Sequence, residues 1–124
     1  MASAVGMDKG VMKVCFASRG LPMVKHLVVL RDEWRGAPEA VTSRVGSELG
    51  YPVFVKPANL GSSVGISKAK DPSELGPAMA LAAEFDRKLV VEAAVPGARE
   101  IECSVLGNDR PEASVPGEIL PTRE

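Results

Sequence analysis

The chain has 124 residues, 45% hydrophobic and 25% charged, with a formal net charge of -1. That is ordinary globular material, enough for one modest core, as one domain or a piece of a larger protein. Lysines and arginines are scattered along it, which gives no electrostatic footprint for a nucleic-acid partner. No apolar run approaches the ~20 residues of a membrane span, and MASAVGMDKG lacks the basic segment and apolar core of a signal peptide. A cytoplasmic protein without a membrane partner is expected.

In chain order, DKGVMKVCFASRG predicts a helix that Asp8 caps and Gly20 closes, with Val11, Val14, Cys15 and Ala17 as its apolar side. Met23–Leu30, opened by Pro22 and rich in Val and Leu, predicts a strand. Ala37, Val41, Val45 and Leu49 recur every four residues and predict a helix that stops at Gly50-Tyr51-Pro52. Val53 to Lys56 reads as a strand, the Gly/Ser segment as a turn, and Gly65 to Ala69 as the antiparallel return. Asp71-Pro72-Ser73-Glu74 has the pattern of an N-cap followed by a proline in the first helical turn, and the helix it opens places Leu75, Ala78, Met79, Ala82 and Phe85 on one face. Lys88–Glu92 and Glu100–Leu106 read as strands, the second with Glu100, Glu102 and Ser104 on one side. After the Gly107-Asn108-Asp109 turn, Glu112–Leu120 adds a last strand, which Pro116-Gly117 bends or confines to an edge. Strands joined by turns and mixed with three helices indicate an α+β fold with a largely antiparallel sheet.

Cys15 and Cys103 stand far apart outside any CxxC pattern, as two reduced and buried thiols would. His26 sits in a strand with no partner motif and is read as structural, Trp34 as a packing anchor.

The segment VFVKPANLGSSVGISKAK carries the chemistry. A phosphate chain needs several donors aimed at one point, and Gly61, Ser62, Ser63 and Gly65 leave backbone amides uncovered while adding two hydroxyls. Lys56, at the end of its strand, supplies a point charge for phosphate oxygens. A flexible hairpin beside a solvated lysine fits the same residues. Neither GxxxxGK[ST] nor GxGxxG followed by a helix is present, so a phosphate site here needs another design, such as a hairpin folded over the nucleotide.

Taken together, MDK at Met7–Lys9, FVKPANLGSSVGISK at Phe54–Lys68, VVEAAVPGAREIECSVLGN at Val90–Asn108 and PEASVPGEI at Pro111–Ile119 resemble the D-alanine:D-alanine ligases of the ATP-grasp superfamily. The likeness runs along essentially the whole chain, in the family's order and spacing. It implies that Lys9 and Lys56 meet the nucleotide phosphates, and that Ser62 and Ser63, in the covering loop, have both a binding and a catalytic part. It further implies that Glu92 opens the segment that holds the adenine, where the backbone of Ala93 to Val95 pairs with the base edge, and that Glu100 holds the ribose hydroxyls. Ala93 and Ala94 stand where the family often has a charged or aromatic side chain, so main-chain contacts are expected there. Glu102 shares the face of Glu100 and is a lesser candidate for nucleotide contact.

The family reaction makes an acyl phosphate from one D-alanine and ATP, which a second D-alanine displaces, in the synthesis of peptidoglycan precursors. The resemblance implies ATP, magnesium and D-alanine as partners. It divides the chain into residues 1–95, the nucleotide-binding subdomain, and 96–124, the first strands of a second lobe. By the family pattern, the magnesium carboxylates, an arginine and a further loop lysine follow Glu124, and the domain through which the full-length enzyme forms a homodimer precedes Met1. The chain alone is therefore expected not to ligate, and its last strands to self-associate or lose order. A D-alanine:D-lactate ligase and a non-catalytic nucleotide-binding module are the alternatives.

Overall fold

The computed structural model describes residues 1–120. Helices α1 (Ala2–Met7), α2 (Lys9–Ser18), α3 (Arg31–Gly36), α4 (Pro38–Glu48) and α5 (Pro72–Phe85) alternate with strands β1 (His26–Leu30), β2 (Val53–Pro57), β3 (Ser67–Ala69) and β4 (Lys88–Ala93). The short strands β5 (Glu100–Glu102), β6 (Val105–Leu106), β7 (Glu112–Ala113) and β8 (Gly117–Ile119) follow. The chain forms two compact units, Met1–Ala94 and a smaller one beginning at Val95.

In the larger unit the four strands make one antiparallel sheet in the order β1-β4-β2-β3. Because side chains alternate across a sheet, its two faces have different compositions. Val29, Val53, Val55, Ala69, Leu89 and Val91 point to one face and close a core with Val41 and Val45 of α4 and Leu75, Ala78, Met79 and Ala82 of α5. Each such side chain contributes roughly 1.5–3 kcal/mol by leaving water, less for alanine. The opposite face carries His26, Glu92, Phe54 and Lys68 in one row, set by the pairs His26↔Glu92, Phe54↔Glu92 and Phe54↔Lys68, with Lys56 two residues on from Phe54.

Helix α5 starts as the Asp-Pro pattern predicts: the Asp71 carboxylate accepts from the Ser73 and Glu74 amides, and Pro72 stands in the first turn. The Glu74 carboxylate reaches back only as far as the Lys70 amide. Leu75, Ala78, Met79 and Ala82 are buried as expected, but Phe85 is 46% exposed, since the helix ends there beside the Gly/Ser loop. In α4, Val41 and Val45 are buried, Leu49 is half-buried and Ala37 is exposed at the cap. Trp34 packs against the core, as an anchor does.

Helix α2 departs most from its predicted orientation. Asp8 caps it, accepting from the Gly10 and Val11 amides, yet Val11, Val14, Cys15 and Ala17 are exposed, and Gly10 and Lys13 are the buried positions. The helix lies on the polar face of the sheet, where a small residue permits contact and a charged one finds a partner. A Cβ on Gly10 would stand 3.2 Å from Val28 Cγ2. The apolar residues that suggested an inward face therefore look outward. The same orientation exposes Cys15, and Cys103 is exposed too, contrary to the expectation of buried thiols.

Two six-residue helices, α1 and α3, were not signalled by periodicity, which needs more turns to show. The predicted Met23–Leu30 strand begins only at His26. The smaller unit pairs β5 with β8 and β6 with β7, all antiparallel, so the predicted strands Glu100–Leu106 and Glu112–Leu120 are each broken in two. At the first break the Ser104 amide donates to the Ser114 hydroxyl, and at the second Pro116 has no N–H to offer. Arg99 and Glu118 form a two-pronged ion pair on this unit's surface.

Candidate nucleotide-phosphate site

Lys56 ends the polar side of β2, and its Nζ lies 2.6 Å from Glu92 Oε2 on the neighbouring strand. The other carboxylate oxygen, Oε1, is 2.9 Å from Nζ of Lys13 on α2. Burial pushes the Glu92 carboxyl up, but the hydrogen bonds and charges of Lys56 and Lys13 outweigh it and hold the group below the ordinary glutamate range. Glu92 is thus an ionised, buried counter-ion to two cations. The Phe54 ring sits between Lys56 and Lys68, 5.8 and 5.7 Å from their nitrogens, and limits where those chains can go.

Lys9, one turn before Lys13 on α2, is aimed at the root of the Gly/Ser loop. Its Nζ donates to the carbonyls of Leu60, Pro57 (3.3 Å) and Ala58 (3.5 Å), and its amide donates to the Ala58 carbonyl at 2.9 Å. Burial, followed by the charge of Lys56, holds its ammonium below the ordinary lysine range. The loop root is also tied by Asp86, whose carboxylate accepts from the Asn59 amide and side chain, both at 2.9 Å. Asp8 pairs with Lys88, which fixes the start of α2 against β4. Burial pushes the Asp8 carboxyl up, and Lys88 with the capped amides brings it below its usual range.

The loop itself is bent in a way that side chains resist. Ser62 and Ser63 both lie in the left-handed region, at φ 52° and 57°, a conformation costing a non-glycine residue about 1–2 kcal/mol. Gly65 is left-handed as well, and a Cβ there would come within 2.6 Å of Phe85 and 2.8 Å of Pro57. The Val64 and Ile66 amides close small turns onto Gly61 and Ser63. The amides of Gly61, Ser62, Ser63 and Gly65 have no acceptor among the described residues, and the two serines are exposed. Strained, exposed donors beside a lysine cluster are what an anion needs.

Of the other residues singled out in the sequence, Ala93 follows Glu92 on β4 and is half-buried, its amide donating to the Lys25 carbonyl at 2.9 Å. Val95 and Glu100 belong to the smaller unit and are exposed there, with Glu100 opposite Ile119 in the β5–β8 pair. His26 is half-buried, with Nδ1 3.2 Å from the Val24 carbonyl. Lys13 escaped the sequence reading. Its one local signal is the four-residue step from Lys9 along α2, which puts both lysines on one face.

A family model, D-ala D-ala ligase C-terminus, matches residues 15–124. The chain belongs to that family. It is 57% identical over 124 residues to a D-alanine--D-alanine ligase of Heliobacterium modesticaldum, and 55% identical to one from Geobacillus thermodenitrificans. In both cases the whole chain is matched, but it spans only 34% of the relative's length. Among solved structures, the D-alanine-D-alanine ligase from Coxiella burnetii superposes with a TM-score of 0.82 at 39% identity, over 94% of this chain and 34% of that one. A D-Ala:D-Ser ligase from Enterococcus faecalis gives 0.81 at 32% identity, over 93% and 32%. The α+β, antiparallel architecture is therefore of the ATP-grasp type. No helix among the described residues is long and apolar enough to cross a membrane. Nor do the described residues hold a cluster of His, Cys, Asp or Glu that fits a metal ion, so no magnesium step is assigned to them.

Proposed function

We propose that this chain is the ATP-binding part of a cytoplasmic ligase that joins two D-alanines through an acyl phosphate for peptidoglycan synthesis. The observation that carries this reading is the conjunction of Lys56 with the strained loop at Ser62 and Ser63, in a chain of the ligase family. Residues 1–95 act as the nucleotide-binding subdomain and 96–124 as the start of a second lobe. Lys56 leaves Glu92 for a phosphate oxygen, and the amides and hydroxyls of Ser62 and Ser63 close over the same group. Lys9 fixes the loop root and adds positive charge beside it. Phosphoryl transfer depends mainly on positioning and charge neutralisation, which is what these groups supply. Glu92 opens the segment whose backbone, from Ala93 to Val95, takes the base edge, and Glu100 takes the ribose hydroxyls. Magnesium arrives with the nucleotide.

A graft tests the activity. The chain replaces its matching segment in the Heliobacterium relative, to which it is 57% identical, and ADP release is followed with and without D-alanine. D-alanine-dependent release, lost with Lys56→Met, supports the reading. A folded graft that releases no ADP contradicts it.

A further inference from the structure

The two lysines on Glu92 are not equivalent. Lys13 is 7% exposed in its side chain and Lys56 24%, while Glu92 is 10% exposed. Lys13 is on the buried side of α2, the helix that Gly10 brings into contact with the sheet and that the Asp8–Lys88 pair fastens to β4. Lys56 is at the open end of β2, with a ring beneath it and solvent beyond. One cation is buried and the other reaches solvent.

If Lys56 turns to a phosphate, Glu92 loses the partner on Oε2. A buried carboxylate left without any cation takes up a proton or forces its neighbours apart, because desolvation of an unpaired charge is expensive. We propose that Lys13 is a positioning residue for nucleotide binding: it keeps Glu92 ionised and in place on β4 while Lys56 transfers from the carboxylate to the incoming phosphate. This rests on the nucleotide reading above and adds to it a division of labour between two lysines. The groups facing Glu92 are Lys13 and, further off, Lys9 from α2, Lys56 from β2, His26 opposite it on β1, and Lys68 beyond Phe54 on β3. Lys13 is the buried one among these cations.

The test is calorimetric titration with Mg-ATP across the neutral pH range, in buffers of different ionisation enthalpy, for the wild-type chain, Lys13→Met, Lys13→Gln and Lys13→Arg. In the Met and Gln variants, binding should become coupled to proton uptake approaching one per nucleotide. Affinity should then fall by up to about tenfold per pH unit beyond the wild-type trend. Lys13→Arg should restore the wild-type profile, and adding Glu92→Gln to Lys13→Met should abolish the extra proton. A purely structural lysine would weaken binding equally at every pH. Wild-type proton linkage in folded Met or Gln variants overturns the role of Lys13 and leaves the nucleotide site standing. Absence of Mg-ATP binding by the wild-type chain overturns the site and this inference with it.

Discussion

At the residue scale, Glu92 ties two lysines to the polar face of the sheet. Glu92 is held below its ordinary value of 4.5 in the folded chain, so its ion pairs contribute stability that is fully present above that value. The contribution is lost as pH falls through the depressed folded value. Melting temperature should therefore drop on acidification below about pH 4.5, and Glu92→Gln should flatten that segment of the profile. Gly65→Ala introduces a Cβ into a left-handed residue already against Phe85 and Pro57. It should weaken Mg-ATP binding by displacing the loop, whereas Gly61→Ala, where a Cβ meets open space, should change it little; titration of the two variants decides. Lys56 was legible in the sequence because Lys-Pro ends an apolar strand before a Gly/Ser turn. Lys13 was not, because its partner Glu92 lies far along the chain and only the sheet and α2 together bring them within 2.9 Å.

Elements were legible where local chemistry and tertiary packing agreed. Helix α5 has a capping aspartate, a proline in its first turn and an apolar face that the sheet uses. Asp71→Ala should lower the melting temperature by uncapping it, and Leu75→Ala should cost about 2–5 kcal/mol in denaturant unfolding, since Leu75 is fully buried. Helix α2 shows the opposite case. Val11 and Val14 suggested an apolar inner face, but the sheet surface under the helix offers Glu92 to a cation and Val28 at a distance that only a glycine fits. Tertiary context chose Gly10 and Lys13 instead, and no hydrophobic periodicity could have shown it. The break at Cys103-Ser104 was hidden because alternation continues through it, while the Ser104 amide turns to the Ser114 hydroxyl and the Ser104 carbonyl accepts from the Ser114 amide; the break around Pro116 is local, and the proline marked it.

At the scale of the molecule, the larger unit has a closed apolar core and the smaller one does not. Every described residue from Val95 onward is exposed, including Val105, Leu106, Val115 and Leu120. Exposed apolar side chains on short, unpaired-edged strands favour association. Sedimentation should show concentration-dependent self-association that Leu106→Lys reduces; a monomer at all concentrations would contradict this. On the polar face of the main sheet, Lys56 and the strained serine loop are the groups proposed to meet a nucleoside triphosphate. The most direct test is titration of the chain with Mg-ATP beside the Lys56→Met variant. Saturable binding that the variant weakens by tenfold or more, about 1.4 kcal/mol, is the predicted result. Equal affinity in the two chains, or no binding by the folded wild type, would contradict it.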